Sequence, residues 1–140
     1  GFDQRRVLPE YAIEPFYKWF EKKKNHFTNP HKKVVLFADT YLNFHEPQVG
    51  ISALGLLNSC GYEVVLANVG CCQRPKLSHG FLREAKEEGN KTVMRLKKYL
   101  DEGLTIVVCE PSCASASSHD LPDLIDDAEL AAKKKKTSVL

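Results

Sequence analysis

The fold class this sequence predicts is α/β: a three-layer, Rossmann-like domain with a short parallel sheet flanked by helices. Three observations predict it. Apolar runs of strand length recur at residues 33–38, 62–66 and 104–108. Longer segments with helical spacing of apolar residues separate them, at 47–60 and 81–102. Glycines stand where each of those helices must stop, at Gly61 and Gly103. Continuous apolar strands suit a sheet buried on both faces, and helical crossovers between them make it parallel and right-handed.

Residues 1–32 read as a lead-in. Arg5-Arg6-Val7-Leu8-Pro9 is extended, and a short aromatic helix begins at Pro15, a residue tolerated in a first helical turn. Phe16, Trp19 and Phe20 share one face of it at i, i+3, i+4 spacing, which docks the helix on the body of the domain. Residues 25–30 are a polar linker. The body, residues 33–130, opens on the strand Lys33-Val34-Val35-Leu36-Phe37-Ala38. The helix at 47–60 turns Val49, Ala53, Leu56 and Leu57 inward and ends at Gly61 in the C′ position. Tyr62-Glu63-Val64-Val65-Leu66 is the second strand. The helix at 81–102 carries Leu82, Ala85, Val93, Leu96 and Leu100, and Leu104-Thr105-Ile106-Val107-Val108 is the third strand. A serine-rich turn then leads to a helix over 121–132. Residues 131–140 are a lysine-rich tail, read as a truncated helix.

Composition narrows the function classes. The 140 residues make one compact domain, and 43% hydrophobic with 27% charged residues is ordinary for a globular protein. A formal net charge of +2 is too small to argue for nucleic acid, and Lys133 to Lys136 supply four of the positive charges. No apolar run approaches the roughly 20 residues that span a bilayer, so no direct membrane insertion is expected. Five cysteines without a disulfide-rich spacing suit a reducing, cytoplasmic compartment, at the inner membrane face only through partners. The first residue is not methionine and the last falls in a helical pattern, so a piece of a longer polypeptide is expected.

Four of the five cysteines fall in two tight groups, Gly70-Cys71-Cys72-Gln73-Arg74-Pro75 and Cys109-Glu110-Pro111-Ser112-Cys113. Adjacent cysteines bridge each other poorly but make a compact pair of soft donors, which points to thiolate chemistry such as an iron–sulfur site. Asp39-Thr40-Tyr41, Cys71-Cys72 and residues 109–113 each lie just beyond the C-terminal end of a strand. Ligand sites of open parallel sheets gather along that edge. Cys60, before a helix-ending glycine, reads as a buried small hydrophobe.

These residues carry a resemblance. Phe37-Ala38-Asp39-Thr40-Tyr41-Leu42-Asn43-Phe44-His45-Glu46-Pro47, then Cys71-Cys72-Gln73-Arg74-Pro75, then Glu110-Pro111-Ser112-Cys113 resemble the cysteine-rich (CCG) domain of FAD- and iron–sulfur-dependent oxidoreductases. That family includes the B subunit of heterodisulfide reductase, the C subunit of anaerobic glycerol-3-phosphate dehydrogenase and the iron–sulfur parts of glycolate and D-lactate oxidases. The resemblance runs from about residue 33 to 127. It implies Cys71, Cys72 and Cys113 as metal ligands, joined by Cys109. It also implies an iron–sulfur cluster, FAD in another domain or subunit, and flavin-binding and ferredoxin-like partners. The chain departs from the full motif at Thr40 and Glu110, where the family has cysteine, and at Gln73, where it has glycine. Cys109 stands one residue early, on the opposite face of a strand.

Three uses of the cysteines are open: a cluster or metal on Cys71, Cys72, Cys113 and Cys109; a redox thiol or disulfide with Cys72 and Cys113; or a degenerate domain kept for docking. His45-Glu46 and His79 lie near the same edge, though lone loop histidines are more often structural. Asp120, Asp123, Asp126 and Asp127 read as acids favoured by a helix N-terminus. Neither nucleotide-binding fingerprint is present, and Ser112 lacks the glycine frame of a nucleophile elbow. The expectation is therefore an electron-transfer domain of an FAD/iron–sulfur oxidoreductase of a small 2-hydroxy acid, or a non-catalytic docking module of the same fold. The chain by itself is expected to turn over no substrate.

Overall fold

The computed structural model describes residues 3, 5–23 and 32–127, and the backbone of 138–139. The element order is α1 (Phe16–Lys22), β1 (Lys32–Phe37), α2 (Thr40–Phe44), α3 (Pro47–Ser59), β2 (Tyr62–Ala67), α4 (Arg74–Ser78), α5 (Leu82–Asp101), β3 (Thr105–Val108) and α6 (Pro111–Ser115). A π-helical turn at Ala116–Asp120, α7 (Leu121–Leu124) and β4 (Ser138–Val139) complete it. The strand order is β2-β1-β3-β4 and every pair is parallel. The architecture is the α/β class expected from the sequence.

The sheet's two faces are read directly from β1. Val35 and Phe37 point to one face and pack with Val93, Leu96 and Leu100 of α5. Val34 and Leu36 point to the other and pack with Leu54 and Leu57 of α3 and with Phe16 of α1. Alternation along a strand puts neighbours on opposite faces, and both faces here meet helices, so no position in Val34–Phe37 is polar. The register Val35↔Val65 and Val35↔Ile106 keeps β-branched residues side by side across the three central strands. Gly61 and Gly103, at φ +84 and +70, take the left-handed conformation that ends α3 and α5.

The connections place the site. From β1 the chain crosses through α3 to β2 on one side, then through α5 to β3 on the other. Strand order thus reverses at β1, and the carboxyl ends of β1 and β3 flank the crevice that such a reversal opens. Asp39 and Thr40 leave β1 there, and Cys109 and Glu110 leave β3.

Several local expectations change. In α3 the buried positions are Gly50, Ala53, Leu54 and Leu57, while Val49 and Leu56 are exposed. The helix is rolled on its axis because Phe16 of α1 occupies the space over Gly50. Leu82 at the start of α5 is also exposed. Cys60 is exposed at the end of α3, not buried. The serine-rich stretch is no turn: helical backbone runs from Pro111 through the π-turn to Leu124, and Ile125 leaves it extended at φ −75, ψ 149. Residues 128–132 of the expected last helix, the linker at 25–30 and the lysine run lie outside the described residues. At 138–139 the backbone pairs as a strand beside Val107 and Val108, where a helix is the sequence expectation. Among the described residues, no helix is long and apolar enough to cross a membrane.

Candidate functional site

A cavity of about 440 Å³ opens at the carboxyl edge of the sheet, lined among others by Thr40, Cys71, Cys72, Arg74, Glu110 and Cys113. Three separate segments build it. The first is the start of α2, where the Asp39 carboxylate caps the helix by accepting from the backbone N–H of Tyr41 (2.8 Å) and Leu42 (3.0 Å). The second is the loop after β2. There Gln73 sits in the left-handed region at φ +65, and its side-chain amide donates to the carbonyl of Cys71 at 3.1 Å. Thr92 of α5 donates to the same carbonyl at 3.3 Å. The third is the start of α6, where Glu110 takes the N-cap position and accepts from the Ser112 hydroxyl and the Cys113 N–H, both at 2.5 Å.

Arg74 ties the second segment to the third. Its guanidinium donates to Asp120 at 2.7 Å and to the Ser112 carbonyl at 3.3 Å. Proline in the first turn of α4 and of α6 fixes φ where each chain turns into the cavity wall.

Two of the sulfurs are in direct contact. Cys72 Sγ lies 2.8 Å from Cys113 Sγ, with Cys72 donating. The backbone N–H of Gln73 donates to Cys71 Sγ at 3.3 Å. The neighbouring Cys72 thiol and then burial push the Cys71 thiol far above its ordinary value. The bond to Cys113 raises Cys72 to about 12, against a smaller lowering by Cys71. Burial works against ionisation of Glu110, but hydrogen bonds from Ser112 and Cys113 together outweigh it and leave its carboxyl below the ordinary value. Cys72 is 1% exposed and Cys113 9%, while Cys71 is half-buried.

Cys109 stands apart from these three. It packs with the Phe16 side of the sheet, whereas Cys72 and Cys113 pack with the α5 side. It lines a neighbouring cavity of about 270 Å³ with Asp39, Leu42, Val49 and Glu110. Burial, then the nearby Asp39, raise its thiol to about 11. In the same place burial outweighs the opposing backbone hydrogen bonds and raises the Asp39 carboxyl. Asp39 Oδ2 is buried and has no hydrogen-bond partner among the described residues.

The four cysteines of the expected ligand set are therefore not brought together: three converge and Cys109 faces the other cavity. Iron–sulfur clusters are held by four thiolates. Among the described residues, no three His, Cys, Asp or Glu side chains stand in a metal-binding arrangement. Two thiolates on one tetrahedral metal, with bonds of about 2.3 Å, stand roughly 3.8 Å apart. The 2.8 Å between Cys72 and Cys113 is shorter than that. As arranged, these donors do not fit a cluster.

The other candidate groups are held structurally. His45 Nδ1 is 2.8 Å from the Glu10 carbonyl, with its ring against Tyr11 and Tyr41. His79 Nδ1 is 2.7 Å from the Pro75 carbonyl within its own turn. Asp120 pairs with Arg74, and Asp126 with Lys86. Arg74, Tyr41 and Pro75 line the thiol cavity, although sequence reasoning assigns them no role. The Arg-Pro immediately after the cysteine pair is the signal that could have found them.

The chain is similar to the C subunit of anaerobic glycerol-3-phosphate dehydrogenase from Escherichia coli, strains K12 and O157:H7 alike. In each case it is 24% identical over 126 residues, covering 89% of this chain and 32% of the relative. The chain thus spans about a third of the length of the curated relatives it matches. No protein-family model matches it. No solved structure matches it either.

Proposed function

We propose that this chain is a cysteine-lined electron-carrying domain of a larger oxidoreductase. It exchanges electrons with flavin-binding and ferredoxin-like domains or subunits on the cytoplasmic side of the cell. The observation that carries the reading is the convergence of Cys71, Cys72 and Cys113 in one cavity at the strand-order reversal. The likeness to a dehydrogenase subunit over most of this chain supports it. The parent's substrate is a small alcohol oxidised elsewhere, either glycerol 3-phosphate, after the relative's name, or a 2-hydroxy acid, after the family resemblance. The cluster form of the reading uses Cys71, Cys72, Cys113 and Cys109, and it requires those thiols to leave their present hydrogen bonds.

A second reading, docking without electron transfer, is favoured by one feature. Val7, Leu8, Tyr11 and Ile13, all in the lead-in, are apolar and each more than 60% exposed. That is a surface fit for a partner domain.

Anaerobic titration of the full chain with photoreduced flavin separates the two. Stoichiometric electron uptake, lost in Cys72→Ser, supports the carrier. Iron and sulfide above trace after reconstitution would specify its cluster form. No uptake at any flavin ratio would leave the docking role.

A further inference from the structure

We propose that Cys72 and Cys113 form a reversible dithiol–disulfide pair, and that this pair, with no metal, is the redox group of the cavity. The inference rests on the carrier reading above and names the group that does the carrying.

Geometry singles out this pair among the five cysteines. Its sulfurs already stand 2.8 Å apart, and a disulfide bond is about 2.05 Å long, so less than an ångström of closure joins them. Cys71 is no rival for Cys72. Consecutive α-carbons are about 3.8 Å apart, below the roughly 4.4 Å that disulfides span at the least. Cys109 packs on the other side of the sheet and Cys60 is exposed at the far end of α3. The pair also joins segments 41 residues apart, held in register by the Arg74 bonds to Ser112 and Asp120.

The cavity supplies a proton path for the same chemistry. When the pair is oxidised by an oxidised flavin, two S–H bonds break, one S–S bond forms, and two electrons with two protons pass to the flavin. Cys72 and Cys113 both line the open cavity, so the protons pass between the thiols and the flavin through its mouth. In the other direction a reduced flavin gives two electrons and two protons, the S–S bond breaks, and both thiols are restored.

The test equilibrates the full chain anaerobically, with a chelator present, in glutathione buffers from fully reduced to fully oxidised. Oxidised glutathione forms the bridge and leaves as two reduced molecules. After acid quench and alkylation in denaturant, intact mass counts free thiols. The expected count falls from the five cysteines of the chain by two, and non-reducing digestion links the Cys72 peptide to the Cys113 peptide. Cys71→Ser and Cys60→Ser keep the bridge. Cys72→Ser and Cys113→Ala lose it while circular dichroism reports an intact fold. Five alkylated thiols at every ratio, glutathione adducts alone, or a bridge through Cys71 or Cys109 would overturn the proposal. If no bridge forms yet iron-loaded chain still takes electrons from flavin, this inference falls and the carrier reading stands. If the bridge forms but photoreduced flavin leaves it oxidised, both fall.

Discussion

The ring of Phe16 lies so close over Gly50 that a methyl group on that glycine would come within 2.8 Å of ring atoms Cδ2 and Cε2. Phe16 is wholly buried, so the lead-in helix α1 is fastened to α3 at a point where only hydrogen fits. Gly50→Ala gains about 1 kcal/mol of helix propensity but overpacks the contact, which typically costs about 1–3 kcal/mol. We expect net destabilisation in urea unfolding. In a Phe16→Ala background, itself costing about 3–5 kcal/mol, the same change becomes neutral or stabilising. Equal effects of Gly50→Ala in both backgrounds would show that the ring does not set the packing of α3.

Gln73 holds a backbone conformation that glycine favours, φ +65, immediately after the cysteine pair. The strain of a side chain there is roughly 1–2 kcal/mol. Against it stand a bond from its amide to the Cys71 carbonyl and burial beside Gly89. A net hydrogen bond is worth about 1 kcal/mol, so the two sides nearly offset. Gln73→Gly is therefore expected to leave stability within about 1 kcal/mol of the parent, whereas Gln73→Val, β-branched and without the bond, loses about 2 kcal/mol or more. Thermal unfolding of the two variants checks this, and similar losses in both would sink it.

How much of this was legible in the sequence depends on where the determining contact lies. Val34-Val35-Leu36-Phe37 is strand by its own composition, and α5 shows its inward face in Ala85, Val93, Leu96 and Leu100. The roll of α3 was not legible, because Phe16, 34 residues away, decides it. The helical run from Pro111 was hidden by its serines. Ser118 turns its hydroxyl back to the Ala114 carbonyl at 2.8 Å, a bond that lets a turn-forming residue sit inside helix. Cys60 escapes a residue-type rule that ignores its place at a helix end. The sheet edge gathered three cysteines as strand ends predict, but the 2.8 Å approach of two of them depends on side-chain placement that no spacing encodes.

The buried Asp39 carboxyl makes stability depend on pH in a defined direction. Burial raises its pKa above the ordinary 3.8, the Leu42 and Tyr41 N–H groups oppose this, and Glu110 adds to it. Between the unfolded value and the raised folded value the native chain binds more protons than the unfolded one. Stability from this group therefore falls as pH rises through that window, and the loss is complete above the folded pKa. Asp39→Asn keeps a capping oxygen and has no such titration. The variant's stability relative to the parent should rise from pH 4 to pH 7 in urea melts; parallel curves would show that Asp39 ionises freely.

Arg74 reaches from α4 to the helical run that carries Cys113, at the wall of the thiol cavity. Its partner Asp120 is 41% exposed, so the ion pair contributes little to folding, about 0.2–1 kcal/mol. Its effect on access is expected to be larger than its effect on stability. Arg74→Met keeps the stem and removes both bonds, freeing the loop that buries Cys72. The alkylation rate of Cys72 should rise at least several-fold while the urea midpoint moves only slightly, and Asp120→Asn should act in the same direction. Lys91→Ala, which breaks an exposed pair with Glu87 and Glu88 on α5, serves as control and leaves the rate unchanged. Mass-spectrometric timing of alkylation at Cys72 gives the answer. An unaltered rate in Arg74→Met would mean that the cavity is closed by packing alone.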